Sequence, residues 1–192
     1  MEKSNLYRIA ILLVIISCNP GVYHERLSEG YYYSEPGIGN NYINKNTGVP
    51  KKTDALSYIH LAKQNIYPKV THYQYNRDFI VAAQKPNKKG HSYLLGFDLE
   101  FYFHEKHGVK EDRSEKEIYT LHEEKGKVMA DSLLRNDPYY KNIFLRNVNY
   151  WIISHKLDSL YGPLTKEEYI EKYKKLEMPK KFEFSRVFKG LE

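Results

Sequence analysis

Asn149-Tyr150-Trp151-Ile152-Ile153 is followed, after a polar turn, by Leu160-Tyr161-Gly162-Pro163-Leu164-Thr165-Lys166-Glu167-Glu168. The first run reads as a buried strand, because aromatic and β-branched residues suit a covered, pleated surface. Gly162-Pro163 then leads into a helix with complete start signals. Thr165 is the expected N-cap, and Glu168, three residues on, closes a capping box. Leu164 precedes the cap and is placed to staple onto Tyr169. Tyr169, Ile170, Tyr173 and Leu176 line the inner face of this helix, and Pro179 ends it. Trp151 is expected to fill the core between sheet and helix.

Upstream of this module, residues 114–135 carry an apolar stripe at helical spacing: Ile118, Leu121, Val128, Met129 and Leu133. Ser114 and Glu117 suggest a capping box there. Gly126 weakens that helix by about 1 kcal/mol relative to Ala. Asp137-Pro138 breaks it, and Pro138 is suited to start a short helix over 139–146. Before the helices, the pattern changes to strands. Tyr31-Tyr32-Tyr33 reads as the first, and Tyr42-Ile43 as another short one. Two β-rich runs within 69–84 flank the polar break Asn76-Arg77-Asp78 and read as a hairpin. Over 92–104, Tyr93, Leu95, Phe97, Leu99, Phe101 and Phe103 alternate with period two, which predicts a further strand. Residues 53–66 fit helix or strand equally. Phe182, Phe184 and Val187 suggest a final strand. Strands grouped early and helices grouped late predict an α+β fold. The expectation is a single domain, mainly antiparallel sheet, with two to three helices in the C-terminal half.

The N-terminus is of another kind. Residues 9–18, Ile-Ala-Ile-Leu-Leu-Val-Ile-Ile-Ser-Cys, contain no charge and follow Lys3 and Arg8. A permanent membrane helix needs about 20 apolar residues, so this run fits a secretory signal peptide instead. Its end, Ile15-Ile16-Ser17-Cys18, resembles the bacterial lipobox. That resemblance implies diacylglycerol on the Cys18 thiol and cleavage before it. The expected organisation is a signal peptide over 1–17, a lipidated tether over 18–29 and one domain over 30–192.

Residues 18–192 also resemble a group of small bacterial lipoproteins whose domain has no assigned function. The resemblance rests on Val70-Thr71-His72-Tyr73-Gln74-Tyr75-Asn76 with Phe79-Ile80-Val81-Ala82, and on the Tyr-Trp-Ile-Ile and Tyr-Gly-Pro-Leu-Thr motifs of the C-terminal module. It implies no catalytic residue.

The 192 residues carry a net charge of +6, and loss of Lys3, Arg8 and Glu2 with the leader leaves 28 − 23 = +5. The charges alternate in sign, as in Glu111-Asp112-Arg113-Ser114-Glu115-Lys116-Glu117, which describes a solvated mixed surface rather than a nucleic-acid footprint. Cys18 is the single cysteine, so no disulfide within the chain is available and packing must supply the stability. The 19 tyrosines suit half-buried sheets and binding surfaces.

Catalytic patterns are incomplete. His104-Glu105-Lys106-His107 lacks the His-Glu-x-x-His spacing of a zinc protease helix. His122-Glu123-Glu124 has Gly126 where the second His belongs. Gly90-His91-Ser92 lacks the closing Gly of a nucleophile elbow. Asp98 and Glu100 sit two apart on the expected strand, a spacing common on solvated faces. The expected function is therefore a non-catalytic binding or accessory module of the cell envelope, on its periplasmic or surface side. Its partners are the membrane, through the lipid, and an envelope protein or glycan, with no nucleic acid and no cofactor. The alternative is an envelope hydrolase or metal-dependent enzyme using His104 and His107.

Overall fold

The structure is a computed structural model that describes residues 23–35, 40–46, 54–107 and 115–191. The expected leader over 1–17, Cys18 and the expected cap Ser114 lie outside these residues. In chain order the elements are β1 (Tyr23–Ser28), β2 (Tyr31–Glu35), β3 (Tyr42–Lys45), α1 (Ala55–Ala62), β4 (Val70–Tyr75), β5 (Phe79–Gln84) and α2 (Lys88–His107). There follow α3 (Glu115–Asn136), α4 (Pro138–Ile143), β6 (Asn149–Ser154), β7 (Ser159–Leu164), α5 (Lys166–Lys175), a 3-10 turn (Lys180–Phe182) and α6 (Phe184–Val187). The strands form two antiparallel sheets, β1-β2-β3 and β4-β5-β6-β7. The fold is α+β, as the sequence predicts.

The larger sheet is covered on both faces, and period-two alternation assigns each residue to a side. Ile80, Ala82, Trp151 and Ile153 face the core shared with the small sheet and α1 to α4. Val81, Ala83, Tyr150 and Ile152 face a second core with Tyr169 of α5, Phe182, Phe184 and Phe188. All six residues of β6 are buried. Double coverage explains why β5 and β6 read as unbroken apolar runs. The two sheets are joined through aromatic side chains. Tyr33 stacks on Tyr73 with centroids 4.6 Å apart, and the Tyr73 and Tyr75 hydroxyls both donate to the Glu25 carboxylate.

The Trp151 expectation holds: the indole is completely buried, and its Nε1 donates to Gln84 Oε1 at 3.1 Å. Opposite it the β6–β7 register slips, so Gly162 and Pro163 together face Trp151. Gly162 has φ +149°, and a Cβ there would overlap the indole ring. Only glycine lets the backbone lie on the ring face. The capping box of α5 is also present: Thr165 Oγ1 accepts from the Glu168 N–H at 3.2 Å, and Glu168 Oε2 accepts from the Thr165 N–H at 2.7 Å.

Four readings are corrected or settled. The 92–104 strand is the middle of helix α2. Phe182 and Phe184 belong to a 3-10 turn and α6, because the second core draws Phe182, Phe184 and Phe188 onto one inward face. Residues 23–28, read as tether, pair with β2 as an edge strand. The 53–66 stretch contains helix α1, started by the Asp54 carboxylate accepting from the Ser57 N–H at 2.8 Å.

These contacts set an order of stability losses. Thr165→Ala should cost about 1 kcal/mol, and Trp151→Ala roughly 3–5 kcal/mol. Gly162→Ala should cost about 3 kcal/mol or more, since it combines overlap with a disfavoured φ. Denaturant midpoints of the three variants check the order, and an unchanged midpoint for Trp151→Ala would refute the framework role.

Candidate functional site

Asn87 immediately precedes helix α2. Its side-chain Oδ1 accepts from the Gly90 N–H at 3.1 Å, and its carbonyl accepts from the His91 N–H at 2.8 Å. From that start, Leu95 and Leu99 fall inward and are fully buried. Tyr93, Phe97 and Phe101 recur every fourth residue on the outside and are 65%, 52% and 52% exposed. Residues four apart share one helix face, so the three rings form a ladder. Phe97 and Phe101 stack edge to face with centroids 5.5 Å apart.

Helix α3 packs antiparallel against α2. The Ser92 hydroxyl donates to Asp131 Oδ1 at 2.6 Å. In the middle the backbones themselves meet: a Cβ on Gly126 would overlap the Gly96 carbonyl, and one on Gly96 would press against the Lys127 backbone. Gly126 is thus a crossing point, and the propensity it gives up locally is exchanged for close helix contact. Above the crossing lies a groove of about 860 Å³. Tyr93 and Phe97 form one wall and Lys127 stands on the other. Lys88 and Lys89 hold one end, and Glu100 and Glu123 the opposite end.

The inner side of α2 carries two titratable groups. Asp98 is half-buried, and its Oδ2 accepts from the Tyr67 hydroxyl at 2.5 Å and from Asn65 Nδ2 at 2.9 Å. Burial pushes its carboxyl up to about 6, against the opposing effect of these hydrogen bonds. His91 is completely buried among the rings of Tyr67, Tyr140 and Phe144, at centroid distances of 4.5, 5.7 and 5.4 Å. Neither ring nitrogen has a hydrogen-bond partner among the described residues. Burial pushes the imidazole down to about 3, so it is neutral at pH 7.

The sequence-derived candidates are placed as follows. Cys18 lies outside the described residues. His104 and His107 fall three apart in the last turns of α2, and their side chains lie outside the description. Asp98 and Glu100 are on that helix instead of a strand, and they part: one meets Tyr67, the other lines the groove. Among the described residues no group of three His, Cys, Asp or Glu side chains could hold a metal ion. No helix among them is long and apolar enough to cross a membrane. The aromatic ladder was missed because the same residues satisfy period two. Asn87 after Pro86, a residue type favoured at the N-cap, was the available signal. Comparisons with protein families, curated proteins and solved structures find no match.

His91 and Asp98 oppose each other in acid. The folded-state pKa of His91 lies below its ordinary 6.5, so its contribution is complete above that value and is lost as pH falls toward 3. That of Asp98 lies above its ordinary 3.8, so its contribution is complete below that value and is lost as pH rises through 6. His91→Phe should therefore remove acid sensitivity that approaches about 1.4 kcal/mol per pH unit at its steepest. The check is the difference in melting temperature between pH 7.5 and pH 4.5. It should move toward acid stability in the variant, and an unchanged difference would refute the assignment.

Proposed function

We propose that the protein is a lipoprotein of the bacterial envelope, anchored through Cys18, and that it acts as a non-catalytic binding module whose contact face is the α2–α3 groove. The anchoring part is supported by Ile15-Ile16-Ser17-Cys18 after an uncharged run. The binding part is carried by one observation, the exposed Tyr93–Phe97–Phe101 ladder beside the groove. Large aromatic rings held in water at regular spacing cost solvation, and aromatic residues are enriched where proteins contact partners. The remaining groove side chains bear both signs of charge, which favours a partner with charges of its own over an anionic polymer.

Two measurements test this function. Metabolic labelling with an acyl analogue should mark the wild-type chain and leave Cys18→Ser unlabelled and uncut. Label on the variant would refute the anchor. Two or more acyl chains are needed for stable membrane residence, at about 0.8 kcal/mol per buried CH₂, so the variant should also leave the membrane fraction. Separately, addition of a chelator should leave the cooperative thermal transition of the full chain unchanged. Its loss would favour a metal-dependent protein.

A further inference from the structure

The charges in the first turn of α2 run against the helix's own field. Its first turn holds Lys88 and Lys89 and no acidic residue, although the N-terminal end of a helix favours negative charge. Glu100 follows further along, and Glu123 of α3 lies beside it at the same end of the groove. The groove thus has Lys88 and Lys89 at one end with Asp131 next to them beside Ser92, Glu100 and Glu123 at the other end, and aromatic rings and Lys127 between. Resting on the binding-face reading above, we propose that its occupant is a second copy of this chain, which lays its own α2 antiparallel into the groove about a two-fold axis near position 95.

Symmetry supplies the argument. A two-fold contact must be self-complementary, with each contact made twice. Antiparallel placement brings Lys88 and Lys89 of each copy to the Glu100 and Glu123 end of the other. It sets Tyr93 of one copy against Phe97 of its mate, at the offset or edge-to-face geometry that aromatic pairs favour. Phe101 reaches the level of Lys89, and Lys127 faces the ladder, both allowing cation–π contact. Parallel placement would set lysines on lysines and carboxylates on carboxylates.

The contact is modest in size. Lys88 to Glu100 spans about 18 Å at about 1.5 Å per residue, so two helices' width covers less than the ~800 Å² per partner of a standard interface. Self-association is therefore weak in dilute solution and gains from confinement on one membrane, which raises effective concentration.

The test uses the full chain in bacterial membranes with a photo-crosslinking phenylalanine analogue at position 97. The wild-type background should give a covalent product of two chains. Lys88→Glu with Lys89→Glu should reduce that product by about tenfold, the scale of about 1.4 kcal/mol, and so should Glu100→Lys with Glu123→Lys. Co-expression of the two reversed chains should restore it, because each then meets its complement. Melting midpoints of both variants establish that they fold. Absence of a two-chain product from folded wild-type chain, failure of the mixed pair to restore it, or adducts only to lipid or to another protein would overturn the proposal. The same measurement on purified full chain at high concentration separates this outcome from a failed anchor. Loss of acyl label with self-association intact refutes the anchoring alone, whereas label without self-association refutes the second copy alone.

Discussion

The interior is tied together by the side-chain amide of Gln84, which is completely buried. Its Oε1 accepts from Trp151 Nε1 and Asn149 Nδ2, both at 3.1 Å, and its Nε2 donates to the Tyr67 carbonyl at 2.7 Å. Asn149 Nδ2 also donates to the Ile143 carbonyl at 2.8 Å. One residue at the end of β5 thereby fixes β6 and the segment before β4, and its partner Asn149 fixes the end of α4. A buried amide without partners would be costly, so this set of bonds selects one arrangement of the core. The indole orientation that lets Gly162 approach follows from it.

With β5 and β6 covered on both sides, the centre of the larger sheet has no surface on which to bind anything. Contact surfaces must lie on its edges, on the small sheet or on the helices. The α2–α3 pair meets that condition. One side of α2 supplies Leu95 and Leu99 to the core, and the other presents aromatic rings to solvent. Two glycines at the crossing keep the pair close enough to act as one element.

The C-terminal module was legible because its signals are local: a cap, its box partner and a glycine next to proline. The hairpin and α3 were legible from their periodicity. Helix α2 was not. Between Tyr93 and Phe103 the odd positions are all apolar or aromatic, while Leu95, Leu99 and Tyr102 also lie at helical spacing, so pattern alone leaves the choice open. Packing decides it, because Gly96 accepts the backbone of α3 and Leu99 enters the core. The histidine pair singled out by motif shares α2 with the ladder. The ladder itself had no motif, since its meaning depends on which rings the helix turns outward. Residues 23–28 were misjudged for a related reason: an isolated polar strand gains its place only from pairing with β2.

Strand β1 pairs with β2 alone and stands at the edge of the small sheet. Cys18 precedes it by five residues, which reach at most about 18 Å. On the proposed anchoring, any tension between membrane and domain enters at Tyr23. That is the open end of the hairpin, opposite the Glu29-Gly30 turn, where Tyr23 pairs with Glu35. Load applied there peels the ladder one pair at a time, a mechanically soft mode, until it reaches Glu25. The His24 Nδ1–Ser34 Oγ hydrogen bond at 2.8 Å crosses the same ladder before that point, and the Glu25 carboxylate is clasped by Tyr73 and Tyr75 of the larger sheet. On that anchoring, a load on the tether would reach the small sheet, through its edge strand, before it reached the larger one.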